Sequence, residues 1–94
     1  MINPGTLTAK GCRMKASERL LALENKRLMV FKDVNNNICV HYEDSYVKDG
    51  SVLRGIAGRA SDFEYACEDY LRQISGKTLV FDAFSDTRKE VRVL

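Results

Sequence analysis

The sequence predicts an α+β fold: a small, mainly antiparallel sheet of four or five strands with one amphipathic helix packed on one face. Three observations carry that expectation. Phe63, Ala66, Cys67, Tyr70, Leu71 and Ile74 recur at helical spacing and form one continuous apolar stripe. Residues 38–46 alternate in polarity at the period of a strand. Turn signals at Asn35-Asn36-Asn37 and Lys48-Asp49-Gly50 leave connections too short for parallel crossovers. The expected element order is α-β-β-β-α-β-β.

Residues 1–14 contain Pro4, Gly5 and Gly11 and no apolar period, so a flexible N-terminal arm is expected there. A single domain over 15–94 follows. Good helix formers fill 16–24, where Ala16, Leu20, Leu21 and Leu23 make a narrow apolar face and Asn25 supplies a stop. Met29, Val30, Phe31 and Val34 mark a strand over 27–34. Asparagine tolerates positive φ, so 35–37 reads as a hairpin turn. In the strand over 38–46, Ile38, Val40 and Tyr42 point one way; Cys39, His41 and Glu43 point the other.

A third strand is expected over 52–56, and Gly55 and Gly58 then open a loop. Ser61 and Glu64 stand in the S-x-x-E spacing of a capping box at the start of a helix over 62–75. Glu64, Glu68, Asp69, Arg72 and Gln73 fill its polar side, and Gly76 terminates it. Residues 78–84 are almost unbroken apolar sequence and read as a central strand. Residues 85–88 turn, and 89–94 alternate as an edge strand.

The chain has 94 residues, 45% hydrophobic and 30% charged, which is the composition of one small globular domain. No apolar run approaches the roughly 20 residues of a spanning helix, so no membrane partner is expected. No secretion signal is read, and Cys12, Cys39 and Cys67 are odd in number and widely spaced. They suit reduced thiols in a cytoplasmic protein. Neither a disulfide framework nor a zinc site follows from them, and no metal or other cofactor is expected.

The formal net charge of +2 is unevenly spread. Residues 1–32 carry seven basic against two acidic side chains, whereas 33–71 carry three against eight. The basic segment suits nucleic acid; the acidic stretch suits a basic protein partner.

Catalysis has little support. His41 is the sole histidine, two positions from Cys39, about 7 Å away along one strand face. No orienting group or oxyanion site accompanies them. The adjacent pairs Glu43-Asp44 and Glu68-Asp69 diverge in strand and helix alike, so neither forms a shared acid–base site. Arg54, Gly55, Gly58 and Arg59 outline a weak anion-binding loop before a helix N-terminus, but Asp62 and Glu64 already occupy the first turn.

Double-stranded RNA-binding modules have a similar helix–three strands–helix order, with lysines on the final helix. Here that helix carries Glu64, Glu68 and Asp69. Gly58, Ser61, Glu64 and Ala66 resemble the helix start of HicB-type antitoxins, a likeness confined to that stretch and lacking the family's DNA-binding segment.

The leading expectation is a non-catalytic binding protein acting on a protein partner through an acidic surface of Glu43, Asp44, Glu64, Glu68 and Asp69. A homodimer is compatible with it, as is the role of an accessory protein of a phage or mobile element. The alternative is a nucleic-acid-binding module using the basic N-terminal segment. A small Cys39/His41 enzyme ranks third.

Overall fold

The strands divide between two sheets, and the main helix lies against the smaller one. The computed structural model describes residues 6–7, 15–23 and 26–93. Its elements in chain order are β1 (Thr6–Leu7), α1 (Ala16–Leu21), β2 (Leu28–Lys32), β3 (Ile38–Tyr42), β4 (Ser45–Asp49), β5 (Val52–Arg54), β6 (Gly58–Ala60), α2 (Phe63–Ile74), β7 (Thr78–Phe81) and β8 (Lys89–Val93). One sheet has the order β1-β8-β7-β4-β5 and the other β2-β3-β6. The α+β class and the antiparallel pairing are as expected. The one parallel pair is β1 with β8, Thr6 opposite Arg92 and Leu7 opposite Val93. Part of the expected arm is therefore a strand, and β8 is not an edge. The remaining residues of 1–14 lie outside the described residues.

Hairpin β2–β3 forms because Asp33 closes it. Its Oδ1 accepts from the amides of Asn35 (2.8 Å) and Asn37 (3.0 Å), while Asn36 takes φ 66°. The asparagine run needs this carboxylate to hold it in a turn. The expected strand over 38–46 is in fact two. It breaks at Glu43-Asp44, where Asp44 adopts φ 52°, and the chain leaves one sheet for the other. Inward-facing positions shift there from even to odd: Val40 and Tyr42 are buried before the break, Val47 after it. Another left-handed residue, Asp82 (φ 52°), ends β7 at Phe81, short of the expected 84.

Both sheets and both helices supply one core. Leu20, Val40, Tyr42, Tyr70, Ile74, Leu79 and Val93 are fully buried. The α2 stripe packs as its spacing predicts, with Tyr70, Leu71 and Ile74 inside. In α1, Ala16, Leu20 and Leu23 turn inward, but Leu21 is exposed because a six-residue helix offers only one narrow face. Glu24 and Asn25 lie outside the described residues.

Gly58 is not loop. It starts β6, opposite Val40, and α2 lies directly on it. A Cβ built there would stand 2.5 Å from the Tyr70 amide nitrogen and closer still to the Ala66 carbonyl oxygen. Only glycine permits that approach between strand and helix backbones.

The capping box also needs correction. The N-cap of α2 is Asp62, whose Oδ2 accepts from the Tyr65 amide at 3.4 Å. Glu64 does not reach back to Ser61; it bonds Ser17. Two carboxylates were available for the first turn, and tertiary packing recruits one of them elsewhere.

Two outcomes check this account. Gly58→Ala is expected to lose about 3 kcal/mol or more through overpacking. Gly55→Ala, with no atom within 4 Å of the new Cβ, is expected to stay near neutral in the same denaturant titration. Asp62→Ala is expected to lose about 1 kcal/mol, the usual N-cap loss, and Ser61→Ala under about 0.5.

Candidate functional site

The side of the molecule that carries the helices uses its polar groups internally. Tyr42 Oη donates to the Leu20 carbonyl at 2.6 Å, joining α1 to β3. Tyr70 Oη accepts from the Tyr42 amide at 3.2 Å and lies 3.4 Å from Ser45 Oγ, which itself donates to the Tyr42 carbonyl at 2.7 Å. The Tyr42 amide, freed where the chain changes sheets, is thus satisfied by α2, and the Tyr42 carbonyl by Ser45 and His41. Burial pushes both phenols above their ordinary value, so they stay neutral donors and acceptors.

The five carboxylates expected to form an acidic surface do not assemble into one. Glu64 accepts from the Ser17 hydroxyl (2.6 Å) and the Ser17 amide (3.0 Å), capping α1 from a different helix. These two bonds, the hydroxyl first, hold its carboxyl below the usual range. Asp69 accepts from the Arg59 amide (3.0 Å), Gln73 and Arg72. Burial works against its charge, but those donors outweigh burial and keep it ionised. Glu68 lines a groove of about 630 Å³ between the helices, facing Lys15, Arg19 and Arg72. Glu43 and Asp44 line a different, smaller cleft with Lys26 and Arg27.

The anion loop changes its setting. Residues 55–57 lead into β6, not into the helix start. The Arg59 amide is already given to Asp69, Arg54 pairs with Asp49 (3.4 Å), and Gly58 is sealed under α2. Arg59 points across the sheet to Asp33, 3.0 Å away. The Cys39–His41 pair is likewise engaged. Cys39 is fully buried, and His41 Nδ1 lies 2.8 Å from the Tyr42 carbonyl, which places its proton on that nitrogen when the ring is neutral. Among the described residues no cluster of three His, Cys, Asp or Glu side chains is placed to hold a metal ion. None of their helices is long and apolar enough to cross a membrane.

What remains open is the opposite side, where neither helix lies. Register sets Met29, Phe31, Cys39, His41 and Arg59 on the outer face of the smaller sheet. Phe31 meets His41 edge to face at 5.8 Å between centroids. At the seam between the sheets a groove of about 510 Å³ is lined by Phe31, His41, Tyr46, Ile56 and Arg59, together with Asp44, Ser45, Gly55 and Ala57. Beyond it Tyr46 contacts Phe84, whose side chain is 86% exposed. Sequence reasoning named Asp44, Gly55 and Arg59 separately, for an acidic surface and an anion loop, and did not bring them together with the aromatic residues of this groove. Phe31, Tyr46 and Ile56 fall within expected strands, and the split into two sheets is what sets them along one seam.

Compared with known proteins, the chain matches no family model, no curated protein and no solved structure.

The helix-side bonds carry a pH signature. A carboxyl held below its ordinary value in the fold contributes stability above that value and loses it as pH falls through the folded one. Glu64, Asp33 and Asp69 all shift downward. Stability is therefore expected to fall once pH drops below the ordinary glutamate value of 4.5. Glu64→Gln is expected to be less stable at neutral pH, by about 1 kcal/mol for a part-buried charged bond, and to show a shallower acid limb in urea titrations. Parallel acid limbs in the two proteins would refute the cap.

Proposed function

We propose that this protein is a non-catalytic binding protein that engages a protein partner through the open face of its two sheets. The observation that supports this reading is the seam groove, where Phe31, Tyr46, His41, Ile56 and Arg59 lie together with no helix over them. Aromatic residues, methionine and arginine are the types enriched at the buried centres of protein interfaces, and exposed Met29 and Phe84 extend the patch. The partner surface thus moves from the acidic stretch to the apolar seam, because Glu64 and Asp69 are engaged within the fold.

The nucleic-acid reading draws less support. Of the described basic side chains of residues 1–32, Lys15 and Arg19 line the helix groove with Glu64 and Glu68, and Lys26 and Arg27 line the smaller cleft with Glu43 and Asp44, so only Lys32 stands apart from a carboxylate-lined groove. A cytoplasmic setting is part of the proposal: Cys39 and Cys67 are unpaired and buried, and burial raises the Cys67 thiol to about 11, beyond easy oxidation.

Affinity capture from a lysate of the native host tests the assignment. Tyr46→Ala and Phe84→Ser are expected to reduce the captured protein at least about tenfold, as for interface anchors. Glu68→Lys is expected to leave it unchanged. Capture lost on nuclease treatment, with a steep salt dependence, would instead favour nucleic acid.

A further inference from the structure

We propose that the free edge of β2 pairs with the same edge of a second copy of this chain, antiparallel and about a twofold axis through Val30, joining the two three-stranded sheets into one. This inference does not require an occupant of the seam groove, although Met29 and Phe31 border both surfaces; its test reads β2 pairing alone.

Among the described residues β2 pairs only with β3, so its far side is an open edge. The ladder fixes which groups point that way. The Glu43 amide donates to the Arg27 carbonyl at 2.8 Å, and the Asp33 amide donates to the Asn37 carbonyl at 3.0 Å. Counting inward along the register, residues 27, 29, 31 and 33 bond β3. Leu28, Val30 and Lys32 therefore aim both backbone groups at the empty side.

Edge strands are normally shielded by proline, bulges or central charges. Here the strand is regular, and its middle three residues are apolar and uncovered: Met29 is 37% exposed, Val30 51% and Phe31 46%.

A second copy fits because the strand is complementary to itself. With Val30 on the axis, Val30 bonds the partner's Val30, and Leu28 bonds the partner's Lys32, using all the outward groups. On the outer face Met29 lies against the partner's Phe31 twice, a favourable sulfur–aromatic pairing. Arg27 lies against the partner's Asp33 twice; that carboxylate keeps its bonds to Asn35, Asn37 and Arg59, so Arg27 adds an attraction at the rim of the pairing and not a new buried ion pair. Arg27 has only a 4.0 Å contact with Glu43 in the monomer, so it is available to do so. A two-residue slip in one direction sets Lys26 opposite the partner's Lys32; in the other it sets Arg27 opposite Asn35. Charge therefore selects the central register.

Sedimentation equilibrium of the full chain, with amide hydrogen exchange, tests this. The wild type is expected to dimerise, and the Leu28, Val30 and Lys32 amides to gain protection as concentration rises. Val30→Pro removes an amide that the monomer does not use, so it is expected to keep the circular dichroism of the fold. It is expected to raise the dimer dissociation constant at least about a hundredfold. Val30→Lys places two lysines on the axis and is expected to do the same; it carries the test if the proline variant does not fold. Arg27→Glu is expected to weaken the dimer and reverse the sign of its salt dependence. A chain that stays monomeric, a dimer indifferent to both Val30 variants, or fast exchange of those three amides within the dimer would overturn the proposal.

Discussion

The rest of the structure depends on the approach of α2 to the backbone of Gly58. Because no side chain stands between them, Tyr70 is carried deep enough for its hydroxyl to reach the Tyr42 amide. That reach satisfies the Tyr42 amide where the chain passes from one sheet to the other. A larger residue at 58 would lift the helix and leave that amide without its partner in the core, where an unpaired group costs about 1–3 kcal/mol. Packing and hydrogen bonding are here a single constraint. The rings of Tyr42, Tyr70 and Phe81 lock it further, meeting edge to face at 5.8 and 5.6 Å.

The short helix α1 depends on the same scaffold. Six residues cannot sustain a helix in water, since nucleation outweighs so few bonds. Its N-terminus is held by Glu64 of α2 and its C-terminal carbonyl at Leu20 by Tyr42 of β3. Each end is thus fixed by a side chain distant in sequence. Of the acidic residues of α2, Glu64 and Asp69 serve as clamps within the fold.

The stripe of α2, the Asn turn, the Gly50 turn and the buried run at 78–81 were legible because each rests on local chemistry: a period, a left-handed residue, an apolar cluster. What escaped was decided at long range. Ser61 and Asp62 are both good caps, and only the demand of Ser17 for Glu64 selects between them. The break at Glu43-Asp44 left a trace, since Tyr46 and Val47 are adjacent apolar residues and no strand can bury both on one face. Strand β6 left almost none. Gly58-Arg59-Ala60 has poor strand propensity and pairs only because β3 and α2 hold it between them.

These constraints also determine where binding chemistry can reside. A sheet needs a cover on each apolar face, and the two helices supply only one. On the other face Cys39 and Val80 are nonetheless fully buried. Phe31 and Arg59 stand opposite Cys39, and Tyr46 opposite Val80, so long neighbouring side chains do what a helix layer would do. Such a cover has an apolar surface of its own. It shields the sheet from water while leaving aromatic edges and a guanidinium exposed at the seam. The helical side has used its carboxylates and hydroxyls to hold itself together, and the open side has kept the residues that a partner can bury.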